Sequence, residues 1–542
     1  HIERSKFMKI ESLPENVYDV VQNNNGLKMY LNNLVKGRPA TPRSWLYENK
    51  SDTEVLSQWM TILKSSLKEL PEYGDLVYQF DTSQLKKWGP QGEVAPIKEL
   101  MEIVTEGFKR GDSPQPKIFR SALWQQAKKN AIKYLLVETG IYKRLRPRDY
   151  KHVVDDMRNR DTLESNSGFP DFSRRKDPEN LQRAYSAIES KEYLEFPAIA
   201  LFRNYNQKTR LVWMYPMATN IVEGSFTQPL KEAITSSDLQ FFAPWRGYNH
   251  VLSRISAHYG RGEFLTASDF SHTDAHFTKW AMLEVYDVIK YAFQEKYWDD
   301  LKASMLHVCN IPLMIGSNTW ITGQHGVASG SNWTNDVETY MDFIAEQYLT
   351  LLGLVKEPDT AIGDDVCHRR DTYLPELPEL LAKVYQAMDF DVNAEKVTNE
   401  PNWIKYLQRL TIRGYNSDRT YVAGNGQEYP LLRGIYSTIR ALNSSLNPEK
   451  FHSPKLWTAD MFCVRQFMIL ENCVDHPCFE KFVKFVCAGN EHLPAFAKRK
   501  ATDIDAAQRA SRILPGLNPT YNQEKRDQPL STYKSIEIAR KL

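Results

Sequence analysis

Asp269, Asp274 and the adjacent pair Asp364-Asp365, with Ser329-Gly330 between them, are the residues of this chain best suited to do chemistry. Carboxylates that converge repel one another unless a cation lies between them. Magnesium favours oxygen ligands and needs only one or two carboxylates when substrate phosphates complete its shell. Two divalent ions about 4 Å apart serve phosphoryl transfer, one at the attacking hydroxyl and one at the leaving oxygen. Asp269, Asp364 and Asp365 are therefore the expected ligands of two Mg2+ or Mn2+ ions, since oxygen donors suit both metals. A lone Gly-Asp-Asp is more simply an exposed turn, so the flanking residues and their order carry the reading.

Those acids need elements to bring them together. Glu263 to Asp269 has the β-formers Phe264 and Thr266 ahead of the acid and is expected to be a short strand entering a turn. Thr360 to Ile362 and Val366 to His368 flank Gly363-Asp364-Asp365, which places the acids on a tight hairpin. Asp274, five residues past Asp269, lies round a turn, where it would face the sugar of a bound nucleotide. Ser329-Gly330 opens a Ser-Gly-x-x-x-Thr stretch ending at Thr334, and Gly323, Gly326 and Gly330 permit close backbone approach. Apolar residues at Val337, Tyr340, Met341, Ile344, Tyr348, Leu351 and Leu352 predict an amphipathic helix over 335–354. Another helix is expected over 377–388, and the chain turns mainly helical after about Arg413. The last forty or so residues are polar, carry Pro515-Gly516 and Pro519, and predict an extended arm.

The bulk properties exclude several classes. At 542 residues the chain exceeds what one hydrophobic core usually serves. Its 42% apolar and 25% charged residues are an ordinary globular balance, and the net charge of +2 means any nucleic-acid surface must arise by local segregation. Lys143 to Arg160 and Arg174-Arg175-Lys176 are the basic stretches. No apolar run of about 18 residues and no secretory leader is present, so neither a membrane span nor export is expected. His1 to Phe7, ahead of Met8, are expected to be foreign to the native chain and carry none of the reading. Six cysteines do not make a disulfide framework. Cys473, His476, Cys478 and Cys487 lack the paired C-x2-C units of structural zinc sites and are expected to be packed thiols. Arg110-Gly111-Asp112 opens a Ser/Pro-rich loop and is a coincidental tripeptide. No Gly-x4-Gly-Lys-Ser/Thr loop occurs, which argues against a P-loop ATPase or helicase.

Taken in order, these residues resemble the motifs of viral RNA-dependent RNA polymerases, most closely those of small double-stranded RNA viruses, picobirnaviruses first and partitiviruses second. The resemblance runs from about Ser165 to Arg409. Ser167-Gly168-Phe169-Pro170 resembles the template-entry motif, and Lys208-Thr209-Arg210 the basic fingers motif over the incoming triphosphate. Asp269 with Asp274 matches the first palm motif, Ser329-Gly330 with Thr334 the second, and Gly363-Asp364-Asp365 the third. Lys396 falls where the family places a lysine near the leaving pyrophosphate, and Trp403 to Arg409 resembles the primer-gripping segment. One position departs: four residues after the second-motif threonine many relatives carry Asn, and here stands Glu338.

The resemblance implies an α/β (α+β) closed right hand of fingers, palm and thumb, its antiparallel palm sheet flanked by helices. The expected division is an N-terminal extension and fingers over 1–255, palm over 256–280, a fingers insertion over 281–322, palm over 323–412, and thumb with C-terminal arm over 413–542. It implies template-directed RNA synthesis from NTPs, replicating and transcribing a double-stranded RNA genome. Asp269, Asp364 and Asp365 would hold the metals and Lys396 would act as general acid. Lys208, Arg210, Asp274, Ser329, Gly330, Thr334 and Glu338 would surround the nucleotide. Ser167, Gly168, Pro170, Arg174, Arg175, Lys405, Gln408 and Arg409 would meet template and primer. RNA, NTPs and a viral capsid protein are the expected partners, with no membrane, in the virion interior and host cytoplasm. A reverse transcriptase is the enzymatic alternative, but such enzymes carry a bulky aromatic where Asp274 stands. A non-enzymatic RNA-packaging protein would need no acid cluster. The residues from about Ala501 onward either line the product channel or dock as an arm on the fingers.

Overall fold

The computed structural model describes Ser5, residues 7–514, Leu517 and residues 527–542. The acids are borne by an antiparallel sheet in the order Thr398–Asn399, Phe264–Ser271, Asp365–Arg370, Pro358–Ile362, with Asp391–Val392 pairing the far end of Phe264–Ser271. Ile362 pairs with Asp365, so Gly363-Asp364 is a two-residue connection, and Gly363 takes the left-handed φ of +57° that so tight a reversal uses.

Behind this hairpin lies the helix Trp333–Leu351. Its apolar spacing predicts an amphipathic helix, but it is buried on nearly every face, carboxylates of Asp336, Glu338, Asp342 and Glu346 included. The reason is its neighbours: Pro358–Ile362, Ala122–Ile132 and Lys279–Ile289 all pack on it and leave no solvent side.

A second sheet runs in the order Lys9–Ser12, Thr319–Thr322, Leu313–Gly316, Ala198–Tyr205, Lys208–Met214, with only the Ala198–Tyr205/Leu313–Gly316 pair parallel. The turn between its last two strands is Asn206-Gln207, both at positive φ (55° and 61°), a conformation asparagine tolerates and two-residue hairpins favour.

The helices Thr438–Leu446, Ala459–Glu471, Phe479–Cys487 and His492–Ala497, all within the expected thumb, share one core with two helices from far upstream, Asp52–Lys68 and Gly74–Thr82. Val55, Trp59, Leu63 and Leu67 make a stripe at four-residue spacing, and Trp59 meets the Phe482 ring at 4.9 Å while its Nε1 donates to Thr438 Oγ1 at 2.9 Å. Residues 46–80 thus pack with these C-terminal helices, a tie that the expected boundaries do not draw. Ahead of those helices the chain forms the hairpin Asn416–Val422/Glu428–Leu432.

Among its described residues the tail is helical rather than an extended arm: Ala501–Ser511 and Lys534–Arg540 dock on the helices Ala459–Glu471, Phe479–Cys487 and His492–Ala497. Ile504, Ile536 and Ala539 are fully buried, and the Lys534 and Ser535 N–H groups donate to Glu471. A few well-spaced apolar residues sufficed where composition predicts none. Pro515, Gly516 and Pro519, on which the extended-arm expectation leaned, lie outside the described residues. The six cysteines are buried and free, as expected. His476 Nε2 lies 2.8 Å from an Asp81 carboxylate oxygen and Nδ1 lies 2.9 Å from the Cys478 backbone nitrogen, so both ring nitrogens are engaged by protein groups. No helix among the described residues is long and apolar enough to cross a membrane.

Candidate active site

Antiparallel register sets Asp269 directly opposite Asp365, and the hairpin turn carries Asp364 beside them. One oxygen from each lies within 4.8 Å of the others, with Asp269 and Asp364 open to solvent and Asp365 half-buried. Among the described residues no other His/Cys/Asp/Glu group has this geometry. Although Asp364 is open to solvent, the protein packed around it, then the charge of Asp269, pushes its carboxyl up to about 6. Burial, then Asp364 and Asp269, pushes Asp365 well up, and burial raises Asp269 against the pull of Lys396, Lys87 and Lys208. The protein therefore leaves this negative charge under-compensated, and three hard oxygen donors fit a divalent cation. The turn itself is held from behind: the Gly363 N–H donates to Thr339 Oγ1 at 3.0 Å, and a Cβ on Gly363 would lie 2.9 Å from Asn335 Nδ2.

Asp274, on the short helix Thr273–His276, brings its carboxyl into hydrogen-bonding contact with that of Glu338. Such a contact requires a proton on one partner. Burial, then the Asp274 charge, drives Glu338 well up; burial also raises Asp274, but the bond from Glu338 pulls it back. The proton therefore belongs to Glu338.

Ser329 Oγ accepts the Trp213 N–H at 3.2 Å, and a Cβ on Gly330 would lie 1.7 Å from Trp213 O, so only glycine fits there. Thr334 is buried and its hydroxyl donates to Ala328 O, closing its own loop rather than facing a sugar or base. Two residues that sequence reasoning missed hold this loop from the helix Met217–Ser236. Glu223 accepts from the Ser331 hydroxyl and from the Asn332 N–H at 3.0 Å. Asn220 Nδ2 donates to Glu223 Oε1 at 3.0 Å and Gly330 O at 3.1 Å. Burial pushes Glu223 up to about 7. The one available signal was a carboxylate set among Ile221, Val222 and Phe226.

Of the basic residues, Lys208 is exposed at the fingers hairpin. Arg210 stacks its guanidinium 4.0 Å from the Tyr205 ring centre and donates to Tyr205 O. Lys396 ends the short turn Ala394–Lys396, where its charge reaches Asp269. Lys87, which no motif singled out, reaches Asp269 as well.

The template-entry loop is tightly built. Gly168 has φ +68° with a Cβ position 2.4 Å from Tyr215 O, the Ser167 N–H donates to Ser173 O, and Asn24 holds Pro170 O at 3.0 Å. Arg174 pairs with Glu164, and Arg175 donates to Asn166 O and Asn220 Oδ1. Upstream, Arg148, Arg158 and Arg160 pair with Glu232, Asp155 and Asp156. Much of this basic stretch is thus the solvated, acid-paired face that charge runs usually make. In the hairpin Trp403–Tyr406/Arg409–Ile412, Lys405 and Gln408 point to solvent. Arg409 is buried, with its guanidinium 4.3 Å from the Tyr248 ring centre, and supports the hairpin from below instead of meeting a strand.

Comparison with known proteins agrees with this geometry. Residues 205–409 match the family model described as viral RNA-dependent RNA polymerase. The "potential RNA-dependent RNA polymerase" of Human picobirnavirus (strain Human/Thailand/Hy005102/-) is 26% identical over 531 residues, 91% of this chain and 90% of that one. The crystal structure of a human picobirnavirus RNA-dependent RNA polymerase superposes with a TM-score of 0.79 at 22% identity, covering 98% of this chain and 99% of that one. An insertion-loop deletion mutant of such an enzyme gives 0.76 with the same coverage and identity. The fold is the right hand expected, and neither the reverse-transcriptase nor the packaging-protein alternative is favoured. Motif order and fold agree with that match, and residues 205–409 carry the viral RNA-dependent RNA polymerase segment within a chain similar along its length to picobirnavirus polymerases.

Proposed function

We propose that this polymerase joins ribonucleotides by the two-metal route, with Asp269, Asp364 and Asp365 as the ligands, and that it replicates and transcribes a double-stranded RNA genome. The observation that carries the site is the convergence of three under-compensated carboxylates within 4.8 Å at a hairpin turn. When bound there, Mg2+ or Mn2+ supplies charge neutralisation at the attacking 3′-oxygen and the triphosphate. Asp269 and Asp365 present their oxygens from paired strands, and Asp364 from the turn, so the set is aligned before substrate arrives. Lys208 and Arg210 take phosphate oxygens. Lys396 hands a proton to the departing pyrophosphate. Asp274 accepts from the ribose 2′-hydroxyl, and Glu338, holding its proton, donates within the same pocket. Ser329, Gly330 and Thr334 shape the loop beneath the sugar. Ser167, Gly168, Pro170, Arg174 and Arg175 form the template entry, and Lys405 and Gln408 meet the primer from a hairpin that the buried Arg409 holds in place. We assign fingers, palm and thumb over 1–255 with 281–322, 256–280 with 323–412, and 413–542, with residues 46–80 packed on the thumb. A viral capsid protein is the proposed protein partner, with action inside the particle and in host cytoplasm.

The test uses purified protein, a short single-stranded RNA, four ribonucleotides and a divalent cation. Asp364→Ala should lower incorporation by about a hundredfold or more while leaving RNA affinity intact. Undiminished incorporation would remove Asp364 from the mechanism.

A further inference from the structure

Residues 81–91 span from the thumb to the fingers hairpin. At one end the Asp81 carboxylate accepts from Ser437 Oγ (2.6 Å), Thr438 Oγ1 (2.8 Å) and the Ile439 N–H (3.1 Å). In the middle, Asn443 of the thumb donates to Lys87 O at 3.3 Å and accepts the Gly89 N–H at 3.1 Å. At the other end Gln207 Nε2 donates to Pro90 O at 3.1 Å, and the Asn206 N–H to Gln91 Oε1 at 3.0 Å. This strap is thus pinned to both sides through its backbone and neighbouring side chains, and the Lys87 side chain takes no part in the pinning.

The Lys87 ammonium is half-buried and makes no ion pair among the described residues. Burial, then Arg440, Lys86 and Arg210, brings it down to about 8, and Asp269 is the carboxylate whose charge reaches it. A half-buried cation crowded by other cations, with no carboxylate in ion-pair contact among the described residues, gains from an anion that arrives beside it. Phosphate oxygens are the anion that this site handles. Two sources offer them, the incoming nucleotide and the RNA backbone. The neighbours favour the nucleotide: Arg210 belongs to the basic fingers hairpin, whereas Lys86 is the strap residue whose charge reaches Lys405 of the primer-side hairpin.

We propose that Lys87 is a nucleotide-binding residue of this polymerase, closing on the triphosphate of the incoming NTP opposite Arg210. It lies outside residues 205–409, the matched polymerase segment. The proposal rests on the reading of Asp269, Asp364 and Asp365 as the metal site.

The experiment measures NTP KM and kcat on a primed single-stranded RNA, with RNA affinity followed by fluorescence anisotropy against KCl. Lys87→Ala should raise NTP KM about tenfold, the scale of one charge-assisted hydrogen bond, and leave kcat within about threefold. Lys87→Met, which keeps the half-buried stem, should do the same, and Lys87→Arg should restore most of the loss. RNA affinity and its salt slope should not change. An unchanged NTP KM in both Ala and Met variants overturns the proposal, as does a KM rise that arginine fails to rescue. A weaker RNA affinity with a salt slope shallower by about one, at unchanged KM, assigns the cation to the strand and also overturns it. Asp364→Ala run in parallel reports on the metal site separately, because the Lys87 variants keep all three carboxylates.

Discussion

Glu338 stands where a carboxamide would be the simpler choice for reading a ribose. Its proton resolves the difficulty, because a neutral carboxyl offers one donor and one acceptor, much as an amide does. Buried against Asp274, it holds that proton. Glu338→Gln should therefore keep ribonucleotide preference over deoxyribonucleotides within about threefold, whereas Glu338→Ala should lose about tenfold of it, the scale of one hydrogen bond. Competitive incorporation of NTP and dNTP reads the ratio; equal losses in both variants would remove Glu338 from sugar selection. Gly363 acts by shape instead of chemistry. A Cβ there meets Asn335 Nδ2 at 2.9 Å in a left-handed conformation that disfavours alanine by about 1–2 kcal/mol. The strain is small for stability but lies next to Asp364. Gly363→Ala should cut the single-turnover rate about a hundredfold through misplacement of that carboxylate, with RNA binding unchanged.

At the scale of elements, the helix Met217–Ser236 positions the second-motif loop without contributing to any motif. Glu223 and Asn220 answer the polar groups that Gly330, Ser331 and Asn332 would otherwise bury unpaired. Removing a buried acceptor leaves each donor about 1–3 kcal/mol worse off. Glu223→Ala should accordingly lower the unfolding midpoint by several degrees. It should also raise amide exchange over residues 329–334. Glu223→Gln, which keeps an acceptor oxygen, should come close to wild type. If alanine leaves exchange in that loop unaltered, the helix does not hold it. Such a support is hard to see in sequence because it depends on a contact across 108 residues. The palm hairpin was far more legible: its strands, its glycine and its acids are contiguous, so local turn chemistry is enough to draw it.

The whole molecule is closed by segments remote in sequence. Asp81 and His476, 395 positions apart, form a fully buried pair that ties the N-terminal helices to the thumb. For Asp81 burial opposes ionisation, but His476, Ser437 and the Ile439 N–H outweigh it and hold the carboxyl below its ordinary value. For His476 burial opposes the charge, but Asp81 and Cys478 outweigh it and raise the imidazole from 6.5 to about 9. The raised histidine adds stability that is complete below pH 6.5 and fades as pH rises through about 9. The depressed aspartate adds stability that is present above 3.8 and fades as pH falls through its lowered value. Asp81→Asn should thus be destabilised most between about pH 4 and 6.5, by roughly 3 kcal/mol. The gap to wild type should narrow on approaching pH 9. Chemical denaturation at pH 6 and pH 9 measures it; a gap independent of pH would mean the pair is not charged.

Residue types and their order were enough to point to a viral polymerase, because each motif that marks one is short and contiguous in the chain. Hence Asp269, Asp364 and Asp365 emerged before any coordinates, and they do converge. Where the remaining side chains point was a matter of packing. Arg409 and Thr334 turn inward, Arg174 and Arg175 are taken by neighbours, and Lys87 arrives from a strap that no periodicity connects to the palm. Those outcomes depend on which surfaces bury each other across hundreds of residues, and linear patterns do not encode such pairings one residue at a time.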